Sequence, residues 1–363
     1  MRSRRYNYLD LLKTIAVFFV CMYHFWHGSQ QETHGLAEFL QKYVYSILST
    51  CVPLFFAVNG ALLLNRETFD ADRHYKKLLV IFLQYGVWHG ITAVILGMHT
   101  GLDFFSLHKY QLLNIFLFLE TPDGVDLNHF WFIMTLCGIY VIYPLIRAVF
   151  AQEGQNRNAR MTVMILWLVT YFLCFFLSDF ATFKTVSPYL TNLNMDTFRS
   201  FDPFGLRIGI MLLYFLAGGF LHKYRAKTSK VPVAGCILMI LLGLLLSYVS
   251  VILKTWQGHY DVVFEGYGTT GTMLCTVGIF LLVSKGEDRI PEKGLFLSAI
   301  RCIGRNTLTI YYTHWILGYV LLPKLPIGYG CFQNLLKTGL LVASGTLLGE
   351  AMRRIPVVKH LVH

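Results

Sequence analysis

The chain has 363 residues, of which 55% are hydrophobic, 15% aromatic and only 14% charged, and its mean hydropathy is +0.53. Soluble domains carry about 45–50% apolar and about 25% charged residues, so this composition excludes a cytosolic globular enzyme, a disordered chain and a DNA-binding domain. The net charge is +11, and where that excess falls along the chain decides whether it reflects nucleic acid or membrane topology.

In chain order, apolar segments punctuated by charge predict ten spans, each near the roughly 20 residues that a helix needs to cross a bilayer. They cover 9–27, 39–64, 78–97, 128–149, 161–178, 205–222, 232–253, 267–284, 302–322 and 333–352. The first follows Arg2, Arg4 and Arg5, as a secretory signal would, but no small-residue cleavage site comes after it. It reads as a retained helix. The stretch 104–119 is apolar but short and reads as an interfacial or re-entrant piece. The longest loops, about 98–127 and 179–204, are rich in Asp, Thr, Asn and Pro. No internal repeat and no separate soluble domain is evident. The expectation is an all-α polytopic membrane protein of about ten transmembrane helices, with one membrane-embedded domain over 1–363.

With the N-terminus placed in the cytoplasm, 22 of the 31 Lys and Arg residues fall on that side, eight on the other, and Lys13 lies within the first helix. That near-threefold bias is the positive-inside pattern. It places both termini in the cytoplasm and explains the basic excess without a nucleic-acid partner. The eight cysteines form no Cys-x-x-Cys pair, and most sit in apolar runs as small hydrophobes do. They indicate neither a metal site nor a disulfide framework.

Ionisable residues inside a bilayer are costly and usually face a cavity or a partner. The first helix carries Asp10, Lys13 and His24. Lys13 and His24 are eleven positions apart, three helical turns plus roughly 20°, so both project from one face about 16 Å apart. Two readings of the three residues are open. A cation near the cytoplasmic boundary could hold an anionic donor while a deeper imidazole does proton chemistry; or Lys13 snorkels, Asp10 pairs with it and His24 bonds a neighbouring helix. Asn59-Gly60 in the second span is a candidate for a polar contact at a close helix approach. His129 and Trp131 open the fourth span, where an aromatic belt is the competing explanation. His314 in the ninth lies nine residues, about 13 Å, past Arg305, a depth comparable with that of His24. The sequence contains no P-loop, no nucleophile elbow and no His-Glu-x-x-His motif.

Four segments together resemble the membrane acyltransferase-3 family, of the surface-polysaccharide O-acyltransferase type. YNYLDLLKTIAVFFVCMYHF resembles the family's first helix, with an acid, a basic residue and, after ten intervening residues, a His. VPLFFAVNGALLL resembles the second helix, FWFIMTLCGIYVIYPLIR the mid-chain Trp-Phe motif, and IGRNTLTIYYTHW the late helix ending in Tyr-x-x-His; the RRIPVVKHLV tail also fits. The resemblance implies transfer of an acyl group, usually acetyl from cytoplasmic acetyl-CoA, to a hydroxyl of a surface glycan or lipid-linked sugar, at a bacterial plasma membrane. It implies a catalytic role for His24, with Asp10 and His314; donor binding by Lys13, with Lys76 and Lys77 assisting; and substrate contacts by Asn59, His129, Trp131 and Tyr311. No metal is implied. Lys13 stands where Arg is usual and Asn59 where Ser is commoner. The second basic position of the third helix is Val80, which leaves that pair incomplete. A transporter or flippase, or a membrane-embedded ligand sensor, is the rival class, since ten spans around a polar cavity would suit either.

Overall fold

The computed structural model describes residues 5–25, 43, 45–102, 125–186, 189–190, 193, 195, 198, 202–256, 266–328 and 330–362. Among these residues it is helical, with no strands. Ten long helices follow in order: α1 Asn7–Phe25, α2 Ser46–Leu64, α3 Ala71–His99, α4 Asn128–Gln152, α5 Arg157–Phe183 and α6 Leu206–Lys223, then α7 Val233–Trp256, α8 Thr270–Lys285, α9 Leu295–Ile316 and α10 Cys331–Met352. Eight helices of the described residues are long and apolar enough to cross a membrane, and α8 is apolar over its 16 residues. α9 is more polar because it carries Arg301, Arg305 and Asn306.

The observed helices coincide with the ten expected spans and differ at their ends for local reasons. α3 starts seven residues before the expected 78, because Asp70 caps it, accepting a hydrogen bond from the Arg73 amide at 3.0 Å. α5 starts at Arg157 because the Asn156 side chain accepts from the amides of Asn158 and Ala159. The interfacial or re-entrant reading of 104–119 lies outside the described residues.

Packing divides the chain into two compact units. The first comprises Met1–Phe19, Glu32–Thr68 and Ile142–Arg301; the second comprises Val20–Gln31, Phe69–Val141 and Cys302–His363.

In the first unit α2 and α6 touch backbone to backbone. A Cβ added at Gly60 would lie 1.7 Å from the Phe215 carbonyl oxygen, and one at Gly218 would lie 1.8 Å from that of Ala57. Small residues permit such an approach, and dispersion between the two surfaces then holds the pair in a lipid-like medium. The start of α1 is capped by Glu287, whose carboxylate accepts from the amides of Asn7 at 3.1 Å and Tyr8 at 2.7 Å; an anion there satisfies orphan donors and the helix dipole. Arg301 donates twice to the Asn7 side-chain oxygen, at 2.8 and 3.1 Å. Beyond α4, the buried Glu153 carboxylate pairs with Lys223 at 2.8 Å and accepts from the Tyr224 hydroxyl at 2.6 Å.

In the second unit α3 packs on α9, Trp88 stacking on Tyr312 with centroids 5.4 Å apart and planes 9° apart. Gln84 and Trp88 donate to the carbonyls of His360 and Leu361 at 2.7 and 3.0 Å, fixing the segment after α10 against α3. α9 and α10 join through Glu350, which accepts from Arg305 at 2.7 Å and from the fully buried Asn306 at 2.5 Å.

Candidate functional site

The site forms in the second unit around one stripe of α9. Tyr311, His314 and Trp315 stand at i, i+3 and i+4, spacings that share a helix face. Just beyond, Leu317–Leu321 form a π-helical turn, a distortion often found at functional sites. Gly318 in that turn leaves room for the Phe25 ring, since a Cβ there would lie 1.7 Å from it. The end of α1 is thereby seated with His24 beside the stripe.

His24 meets His314 with ring centroids 5.2 Å apart and meets Trp315 edge-on at 4.6 Å. His129 stacks on Trp315 at 4.5 Å, with planes 16° apart, and lies 5.5 Å from His314. The short turn Asn128–Phe130 that presents His129 is set by Asp126, whose carboxylate accepts from the Asn128 amide at 2.8 Å. Tyr311 ties the group together. Its hydroxyl donates to the His129 carbonyl, and its own carbonyl accepts from His314 Nδ1 at 2.5 Å. A carbonyl can only accept, so Nδ1 carries the His314 proton and Nε2 carries the lone pair.

Part of the hydrogen-bonding capacity of this cluster is unspent among the described residues. His314, His129 and Trp315 are 0%, 3% and 5% exposed. Yet His314 Nε2, both His129 ring nitrogens and Trp315 Nε1 have no hydrogen-bond partner among the described residues. A buried polar atom left unsatisfied costs about 1–3 kcal/mol, so four of them converging in one cluster mark a place built to receive polar groups. One lone pair on a neutral imidazole beside one indole donor can move a proton and bind an oxygen. Among the described residues, no three His, Cys, Asp or Glu side chains are arranged to hold a metal ion.

The structure thus gathers His24, His129, Tyr311 and His314 of the sequence candidates. Trp131 is half-buried at the start of α4, in the same unit. Lys76 and Lys77 are exposed on the first turns of α3. Asp10, Lys13 and Asn59 belong to the first unit. Asp10 is 5% exposed and is shared by Arg5, at 2.7 Å, and Lys13, at 3.5 Å. Asn59 donates to the Phe55 carbonyl of its own helix at 2.9 Å.

Trp315 is the residue that sequence reasoning passed over. Its signal was the i+4 step from Tyr311, masked because a Trp near a helix end reads as an interfacial anchor.

Comparison with known proteins adds one finding. The acyltransferase-3 family, described as an acyltransferase domain, matches residues 6–349. No curated protein and no solved structure matches significantly. The match takes in nearly the whole chain, including every residue of the histidine cluster, and the chain belongs to the acyltransferase-3 family.

Proposed function

We propose that this multi-pass membrane acyltransferase moves an acyl group, in the first instance acetyl, from acyl-CoA on the cytoplasmic side to a hydroxyl of a cell-surface glycan or lipid-linked sugar at a bacterial plasma membrane. The observation that carries this reading is a cluster of three imidazoles, two of them buried with ring nitrogens unsatisfied among the described residues, in a chain of an acyltransferase family. Acyl transfer to an alcohol needs a base for the hydroxyl proton and an acid for the leaving thiolate, and adjacent imidazoles can provide both near neutral pH. His24 and His314 are the acid–base couple, with His129 and Tyr311 against the acceptor. Lys13 supplies the cation for the donor's phosphates, and Asp10, shared with Arg5, orients it; Lys76 and Lys77 extend the basic surface. Trp131 and Asn59 are placed with the acceptor on the family resemblance alone.

The test uses purified protein in lipid nanodiscs with radiolabelled acetyl-CoA and a panel of hydroxyl acceptors, paired with mass spectrometry of surface glycans from cells with and without the protein. Label moving to an acceptor, and loss of one acetyl substituent per modified sugar in the deficient cells, are expected. A protein that carries a solute across the bilayer but neither transfers nor hydrolyses the label is a transporter, and the reading fails.

A further inference from the structure

The four unspent atoms of the histidine cluster differ in what they can bond. An indole N–H only donates, whereas an imidazole nitrogen without a hydrogen only accepts. Trp315 Nε1 therefore serves an acceptor atom. His314 Nε2, its tautomer fixed by the Nδ1 bond to the Tyr311 carbonyl, serves a donor.

The two substrates of an acyl transfer to an alcohol divide the same way. The thioester group offers its carbonyl oxygen, which only accepts, and the alcohol offers its O–H. Resting on the acyl-transfer reading above, we propose that Trp315 is a further catalytic residue, whose indole N–H holds the acyl carbonyl oxygen as charge develops on it, while His314 Nε2 takes the proton of the acceptor hydroxyl.

The step balances within this cluster. The alcohol O–H bond breaks and its proton goes to His314 Nε2. The oxygen forms a bond to the carbonyl carbon, and the carbonyl electron pair moves onto the oxygen facing Trp315. On collapse the carbon–sulfur bond breaks, the thiolate departs, and the proton on His314 returns to it through the neighbouring His24 ring. The products are the ester and free thiol.

The surroundings suit a fixed donor. Stacking on His129 at 4.5 Å and the edge-on contact with His24 at 4.6 Å hold the plane of the indole from two sides, and at 5% exposure bulk water does not compete for the N–H. A donor already in place needs no reorganisation as charge builds, which is where such a bond gains its effect.

The experiment compares Trp315→Phe and His314→Asn with the wild type in nanodiscs, reading kcat, donor KM and the pH profile. Phe keeps the stacking and removes the N–H. Asn keeps an N–H for the Tyr311 carbonyl and removes the basic nitrogen. Trp315→Phe is expected to lower kcat by about 10²–10³-fold with donor KM unchanged, because the bond tightens only in the transition state, and to leave the pH profile in place. His314→Asn is expected to lower kcat by about 10²–10⁴-fold and to remove the limb of the pH profile that reports the base. Should Trp315→Phe unfold, site-specific benzothienylalanine, an isostere of Trp with sulfur in place of N–H, gives the same readout. Activity of Trp315→Phe or of the isostere within threefold of wild type overturns the role of Trp315, and an unaltered pH profile in His314→Asn overturns that of His314; either result leaves the acyltransferase reading standing. A wild-type protein with no transfer to any hydroxyl overturns both together.

Discussion

His24 stands between two rings that the chain brings from α9, 5.2 Å from His314 and 4.6 Å from Trp315, and its side chain is only half-buried. Replacing it with Ala removes an imidazole but little packing. His24→Ala is expected to insert in the membrane at near wild-type yield and to keep less than a tenth of the transfer rate, within the range general acid–base groups contribute; radiolabel transfer in nanodiscs measures it, and a rate above that mark removes His24 from the chemistry. Lys13 shares Asp10 with Arg5 at the longer of the two distances, 3.5 against 2.7 Å, so Asp10 keeps its stronger partner if Lys13 is lost. Lys13→Ala is expected to raise the donor KM about 10–100-fold, the worth of one charged hydrogen bond, while Lys13→Arg keeps the charge and adds a fork that matches phosphate. Equal donor KM in wild type and Lys13→Ala would reduce Lys13 to a snorkelling cation. His24, Lys13 and His314 were legible in the sequence as candidates because an ionisable residue in an apolar run stands out. Trp315 was not, since in an aromatic-rich membrane helix its N–H becomes informative only when its surroundings among the described residues offer it no partner.

At the scale of helices, the close pair α2–α6 depends on two glycines. An added methyl at Gly60 or Gly218 would collide with backbone, which cannot move aside as a side chain can, so the helices must separate. Gly60→Ala and Gly218→Ala are each expected to cost about 3 kcal/mol, the upper end for overpacking, and to lower the unfolding temperature in detergent; an unchanged midpoint would mean that the two backbones are not in contact. Gly60 was readable as a close approach from its place in an apolar run. Its partner surface around Phe215 was not, because nothing local says which helix lies opposite. Glu153 joins the ends of α4 and α6 outside the apolar spans. Burial pushes its carboxyl upward, but hydrogen bonds from Lys223 and Tyr224 and the Lys223 charge prevail and hold it below the ordinary carboxylate value. A depressed folded value means that this linkage stabilises above the unfolded carboxylate range and is lost as pH falls through the folded value. Glu153→Gln is therefore expected to destabilise by about 2 kcal/mol at neutral pH, and the gap from wild type should close in acid. Thermal denaturation at pH 7 and at progressively lower pH reads this out; a gap independent of pH would assign the effect to shape alone.

On the scale of the whole chain, hydropathy located the ten long helices of the described residues because a bilayer demands long apolar runs and internally bonded backbone. The two compact units were not legible, since they are assembled from segments far apart in sequence, and long-range packing leaves little trace in local pattern. The orientation of the chain in the membrane governs from which side donor and acceptor arrive. The positive-inside bias of 22 to eight basic residues predicts cytoplasmic placement for the turn between α6 and α7 and external placement for the end of α3. Thr100 and Ser229 are both exposed at those two places, so each accepts a cysteine that an impermeant maleimide can reach. The background needs little alteration: six of the eight native cysteines are buried, Cys331 is exposed and Cys302 is intermediate, so replacing these last two by Ser and Ala leaves the core intact. In intact cells Thr100→Cys is expected to label and Ser229→Cys to label only after the membrane is permeabilised. The reverse pattern would turn the chain over, place Arg5, Lys13 and the basic turns on the outer face, and remove the cytoplasmic route proposed for acyl-CoA.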